Sequence, residues 1–279
     1  MRRPILLSRP FFCQFHELKD ETVFSTRQSS LCTLQYALCA AKFYNKNMSD
    51  ASEKVLGIRR LPIFPLPLVL LPNELLPLHI FEPRYRKMLK DIELEKNMFG
   101  VSMFEAQESF DEKPALDSIG CVAEVRDVNV MEDGRSNILS VGVIRYRLID
   151  YVETAEDYLI AEVEFFEDYE EDETILSPLA NEVFALFERI ARAAHKLSNN
   201  RAPLPEVPQA PPEQLSFLVT SAFNLDNSLK YELLKTRSTI ERLEKIREVL
   251  VQAVGKMEET ADIHKVAQTN GHSKKKIDF

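Results

Sequence analysis

Between Leu61 and Leu94 an apolar run is punctuated by Pro62, Pro65, Pro67, Pro72 and Pro77, five prolines in sixteen residues. It then turns into the aromatic and basic stretch Phe81-Glu82-Pro83-Arg84-Tyr85-Arg86. Proline has no N–H to donate, so the run predicts an edge strand and a wrapped loop rather than a helix or a central strand. Pro83 suits the first turn of a helix, which the pattern carries to about residue 95. Strand signals follow. Phe99–Phe104 is one, and Cys121–Val128 alternates apolar and polar positions as a half-buried strand does. Asp133-Gly134 is a hairpin signal. Its outgoing partner, Ile138–Tyr151, passes through Gly142, where a bulge or barrel bend is expected. Tyr158–Phe165 closes the set. Short strands joined by turn signals around one helix predict a small mixed barrel rather than a parallel sheet.

Helical spacing takes over after an acidic run, Glu167–Glu173, with six carboxylates in seven residues. A divalent-cation loop needs turns that converge its ligands, and this run has no glycine, so it reads as a solvated linker. Ser177-Pro178 supplies a capping serine and a first-turn proline. Leu179, Val183, Leu186, Ile190, Ala194 and Leu197 follow at spacings of three and four. A Pro-rich connector (198–212) leads to helices at about 213–223 and 228–235. Ser238-Thr239-Ile240-Glu241 is a capping box, and Leu243, Ile246, Leu250 and Val254 form the stripe of the last helix. The expected organisation is a non-globular extension (1–57), a β-barrel (58–168), a helical bundle (175–260) and a disordered tail (261–279).

Charge changes the list of partners. The net charge is −9, yet residues 1–47 carry seven basic and three acidic side chains, so the body is more acidic than the total suggests. Such a body gains little from phosphate backbones, and nucleic acid is not an expected partner. Three of the four cysteines lie in the first 39 residues. No CxxC pair accompanies them, so neither a disulfide framework nor a metal site is expected, and no cofactor. Cys121, inside Ile119-Gly120-Cys121-Val122, reads as a core residue of a reducing compartment.

The first 47 residues lack sustained periodicity. Their best apolar stretch, Leu31–Ala41, lies too far in for a secretory signal. Two readings stand: a transit peptide, which Glu17, Asp20 and Glu21 weaken, or a start mis-assigned upstream of Met48. The first implies a plastid or mitochondrial location and the second a cytoplasmic one. No stretch approaches the roughly 20 apolar residues that span a bilayer, so no membrane role is expected.

Five pieces in order, Leu66–Pro72, Leu76–Tyr85, Ile119–Val125, Val141–Leu148 and Thr236–Leu243, resemble the substrate-binding domain of Lon proteases over roughly residues 59–256. The resemblance implies an α+β protein, a PUA-like mixed β-barrel followed by a C-terminal α-helical bundle, that captures unfolded or damaged proteins. It also implies protein quality control, with a protease or chaperone as a further partner. The motor does not carry over. Gly255-Lys256 is followed by Met257, and Leu250 stands where a phosphate loop has its first glycine. A stand-alone, non-enzymatic member without ATPase or peptidase domains is therefore expected.

Within that reading Leu66, Leu68, Val69, Leu70 and Leu71 are the candidate substrate-binding residues, because so kinked a segment is not expected to turn them all inward. The competing reading is that the segment caps the barrel. His79, Phe81, Glu82, Arg84 and Tyr85 form the motif taken as structural. A His79–Glu82 acid–base or metal pair lacks a nucleophile or a further His. Arg84, Arg86, Lys87 and Lys90 beside Tyr85 form the patch that a PUA-like RNA- or small-ligand-binding module, the alternative function, would use. An enzyme built on Glu105, Glu124 or Glu162 would need a deep pocket with perturbed acids.

Overall fold

The computed structural model describes residues 49–104, 113–197, 209–223 and 225–270. A short helix α1 (Ser49–Lys54) precedes six strands, β1 (Arg60–Leu66), β2 (Leu75–Ile80), β3 (Met98–Met103), β4 (Ile119–Val130), β5 (Ser136–Tyr151) and β6 (Leu159–Phe166). Helix α2 (Pro83–Glu93) lies between β2 and β3, and α3 (Glu173–Leu197), α4 (Pro212–Ala222), α5 (Asn227–Lys235) and α6 (Thr239–Asn270) follow. The architecture is α+β. Residues 1–48, 105–112, 198–208, 224 and 271–279, with the transit-peptide and connector readings that fall on them, lie outside the described residues.

The strands order as β2-β5-β4-β3-β1-β6, and β5 also pairs with β6. Five of them therefore close a ring, with β2 attached to β5 alone. Ring closure removes the open edges that a flat sheet presents. β1 and β3 are parallel and the other pairs antiparallel.

Two sequence expectations change here. The Pro-punctuated run was expected to avoid the sheet interior, yet β1 lies between β3 and β6. Its partners occupy opposite halves: β6 faces Arg60–Ile63 and β3 faces Ile63–Leu66. Pro62 thus meets only β6 and Pro65 only β3, so each proline has a side on which no donor is needed. Pro77, in contrast, sits on the edge strand β2, as expected. The extension expected over 1–57 already contains α1 and the buried Val55, which packs with Leu61, Ile63 and Val122.

Helix α2 buries Tyr85, Met88 and Ile92 at helical spacing and closes the barrel interior against Phe64, Leu70, Phe99 and Val101. Tyr85 and Phe64 bring their ring centroids to 4.0 Å. Cys121 is fully buried in this layer, and burial pushes its thiol pKa up, so it remains a protonated packing group.

The bundle core follows the two predicted stripes. Val183, Phe187, Ile190 and Ala194 of α3 meet Leu243, Ile246, Leu250 and Val254 of α6, with Leu215 and Val219 of α4 between neighbours. The Ser238 Oγ accepts from Glu241 N–H at 3.1 Å, as a capping box requires. Helix α3 starts at Glu173, before Ser177-Pro178, because Asp172 Oδ1 accepts from both the N–H and the hydroxyl of Thr174. Helix α6 runs to Asn270, beyond the boundary at 260 read from the sequence. Among the described residues no helix is long and apolar enough to cross a membrane.

Candidate functional site

The run Leu66–Leu71 is the joint between barrel and bundle rather than an open capture loop. Leu66 and Leu68 are half-buried, whereas Val69 is 2%, Leu70 2% and Leu71 0% exposed. Leu70 points into the barrel core, and Val69 and Leu71 pack with Phe217 of α4 and Leu234 of α5. The expectation that these leucines remain exposed is therefore corrected for Val69, Leu70 and Leu71. A kinked segment can turn alternate side chains inward on both sides when a second layer covers it. Gly142 of β5 makes the crossing possible, since a Cβ there would lie 2.1 Å from the Leu71 carbonyl oxygen. The loop is tied to β5 by Asn73 N–H donating to the Gly142 carbonyl at 2.8 Å, and by Gly142 N–H donating to the Glu74 carbonyl at 2.9 Å. Lys230 of α5 pairs with Glu74 at 2.8 Å, and Asn227 Nδ2 donates to the Pro67 carbonyl at 3.0 Å.

The motif taken as structural divides in two. Tyr85 is core, and the Arg84 guanidinium lies 4.5 Å from its ring centroid while pairing with Glu82 at 2.9 Å. His79 is exposed and shares a 2.7 Å hydrogen bond between Nδ1 and Asn137 Oδ1, its cross-strand partner. Phe81 is exposed beside it. Glu82 and His79 thus have separate partners. Of the α2 cations, Lys87 pairs with Glu156. Glu124 is held by Lys54 and Arg126, and Glu162 by Arg60; Glu105 lies outside the described residues.

The acidic run, read as a solvated linker, contains the centre of the joint. Asp168 is buried between Arg145 of β5 and Arg242 of α6, which both donate to its carboxylate. Arg145 Nη1 also donates to the carbonyls of Leu234 (3.1 Å) and Thr236 (2.8 Å). Arg242 Nε donates to Ser216 Oγ at 2.6 Å. The Phe217 ring centroid lies 4.1 Å from the Arg242 guanidinium and 5.3 Å from that of Arg145. Glu171 accepts from Ile240 N–H at 3.0 Å at the start of α6, where a carboxylate is favoured by the helix dipole. The signal available in the sequence was Arg145 in the apolar run Val141–Leu148, which needs an acid if it is buried; Arg242, in the charged segment Glu241–Lys245, gives none.

Beside this joint the barrel wall opens. On one side of β5, β2 pairs up to Val141 (opposite Leu75), and β6 begins at Arg145 (opposite Phe166). Residues 142–144 fall between the two partners. A cavity of about 330 Å³ occupies this seam, with Leu75, Leu139, Val141, Val143 and Phe166 as apolar wall. Lys54 of α1 and Glu213 and Gln214 of α4 line it as well. Gln214 is 2% exposed, and its Oε1 has no hydrogen-bond partner among the described residues.

Glu213 carries a raised pKa of about 7: burial is the main cause, the Asp168 charge adds to it, and Arg145 and Arg242 oppose it. A carboxyl whose folded pKa lies above its ordinary 4.5 binds more protons folded than unfolded between those values. The chain therefore loses stability as pH rises from about 4.5 to about 7, by up to about 3 kcal/mol before discounting for partial solvent contact. Glu213→Gln is expected to melt higher than wild type at pH 8 and level with it at pH 4.5, which thermal scans across that range would check.

The chain as a whole resembles known proteins. The pattern of the ATP-dependent protease La (LON) substrate-binding domain matches residues 60–252. A Lon protease of Koribacter versatilis is 26% identical over 196 residues, covering 70% of this chain and 24% of the relative. One of Brevibacillus choshinensis is 24% identical over 199 residues, covering 70% and 25%. The chain thus spans about a quarter of the length of these relatives. The N-terminal domain of a Mycobacterium avium complex Lon protease superposes with a TM-score of 0.50 at 19% identity, over 71% of this chain and 98% of that one, a likeness of fold. The match falls on the substrate-binding domain and not on the catalytic domains of Lon, and it takes in the barrel, the joint and the bundle. The chain belongs to the ATP-dependent protease La (LON) substrate-binding domain family.

Proposed function

We propose that this chain is a recognition module without chemistry of its own, binding apolar segments that unfolded or damaged proteins expose, as an adaptor to a protease or chaperone. The observation that carries the reading is the apolar-walled cavity at the barrel seam, in a domain whose family is named for binding substrates. Folded proteins hide apolar side chains, so a site that accepts them discriminates by exposure rather than by sequence. The compartment proposed for this work is the cytoplasm, with a plastid or mitochondrion as the alternative.

The test uses the full chain and a fluorescently labelled protein in permanently unfolded and native forms. Anisotropy is expected to rise with the unfolded form and stay flat with the native one, with single-stranded RNA as a second titrant. Binding of RNA with silence toward the unfolded protein would overturn the reading.

A further inference from the structure

We propose that the seam cavity takes an apolar group that ends in a carboxylate, its apolar part against β2 and β5 and its carboxylate at Lys54 and Arg126. This rests on the recognition reading above, whose cavity it shares, and it names a ligand chemistry: the last residue of a polypeptide, or a free organic acid.

The walls hold the apolar part. Leu75 of β2 and Leu139 and Val141 of β5 line the cavity without belonging to any of the buried core clusters, so their apolar surface borders the cavity rather than a packed interior. Leu75 and Val141 are direct cross-strand partners, and Leu139 lies two residues before Val141, so all three share one face of the sheet. At about 330 Å³ the cavity stands at the small end of ligand sites, a size for one side chain or a short acyl chain.

The cations hold the carboxylate. Lys54 of α1 and Arg126 of β4 both line the cavity, whereas the acid they share, Glu124, does not. Lys54 Nζ lies 3.1 Å and Arg126 Nη2 2.9 Å from one oxygen, Glu124 Oε2. The two cations thus stand close enough for a second carboxylate to meet both, and one acid leaves them a surplus of positive charge. Their side chains are 26% and 48% exposed, so N–H donors remain for a ligand. A phosphate would leave the apolar wall in water, and an ammonium group would meet like charge.

Glu213 favours the same ligand. It lines the cavity from α4, and its carboxyl has no hydrogen-bond partner among the described residues. The charged groups around it are Arg145 of β5, Glu167 and Asp168 after β6, and Arg242 of α6. Lys54 and Arg126, paired with Glu124, add the charges of α1 and β4. With its pKa raised to about 7, Glu213 is neutral in mild acid, and these four cations then stand against three carboxylates. An arriving carboxylate balances that charge, and an ionised Glu213 would repel it. Affinity is therefore highest below about 7 and falls as pH rises through that value.

The experiment uses the full chain and calorimetry at pH 6 and pH 8. The probes are an acetylated tetrapeptide of glycine and serine ending in leucine, the same peptide as its amide, octanoate, and inorganic phosphate. At pH 6 the free-carboxyl peptide, octanoate or both are expected to bind about tenfold more tightly than the amide and phosphate. Which of the two binds identifies the source of the carboxylate. Lys54→Gln and Arg126→Gln are each expected to lose most of that preference without a lower melting temperature; should one melt low, the other decides. Wild type is expected to weaken from pH 6 to pH 8, and Glu213→Gln to show no such change. Equal binding of acid and amide, phosphate bound as well as either carboxylate, or no binding of either carboxylate overturns the inference. Permanently unfolded protein, added as a further titrant, separates the two readings. If it binds wild type and the cation variants alike while the carboxylate probes do not bind, the inference fails and the recognition reading stands. If octanoate binds and unfolded protein does not, the recognition reading falls and the cavity keeps its ligand.

Discussion

Asp168→Ala is expected to destabilise the folded chain by about 3–5 kcal/mol, because it leaves two buried guanidinium groups without their shared counter-charge. The Arg145 side chain is 2% and that of Arg242 0% exposed, so water cannot take the place of the carboxylate. Both arginines keep carbonyl or hydroxyl partners, which satisfy donors but not charge. Glu213, whose pKa the Asp168 charge helps to raise, ionises more readily in the variant and draws the loss toward the lower figure. Urea unfolding at pH 7 measures it. The pH dependence has a definite sign. Burial by itself raises the Asp168 pKa, yet hydrogen bonds and charge from Arg242 and charge from Arg145 hold it below 3.8. Its contribution is thus complete above the ordinary carboxylate range and is lost as pH falls through the depressed value. The gap between wild type and variant should narrow in acid. A gap that persists unchanged at low pH would mean the acid matters for shape and not for charge.

Leu71→Ala is expected to cost about 2–5 kcal/mol, the loss of a fully buried leucine plus the void it leaves. Leu71 touches Phe217 and Leu234, so the void opens between barrel and bundle. Leu68→Asp, at a half-buried position in the same run, should change stability far less. The pair separates two readings of the apolar run. An exposed capture loop predicts lost binding at unchanged stability for both variants. A covered joint predicts lost stability for Leu71→Ala alone, read by the same unfolding curves.

Much of the fold was legible from local pattern. Period-two alternation over residues 121–128, the Asp133-Gly134 turn, the proline at the start of α2 and the stripe of α6 each depend on neighbours in sequence, and each element formed where its pattern lay. β1 was misjudged because a proline forbids a donor on one side only, and which side of a strand lacks a partner is a property of the closed sheet. Asp168 was misjudged for a related reason. Six carboxylates within seven residues look alike in sequence, and only the approach of β5 and α6, from positions 145 and 242, selects one of them for burial. The five-residue apolar run shows the same limit, since its apolar character was plain but its cover, α4 and α5, arrives from about 150 residues away.

By itself, then, the sequence determined the order and type of the elements from α2 onward, the family, and a body without surplus basic charge, because these depend on composition and on contacts a few residues apart. The tertiary structure alone decided where the candidate site lies. A seam exists because β5 is longer than either strand beside it and must share that side between β2 and β6, and Glu213 and Gln214 line it only because the joint fixes α4 there.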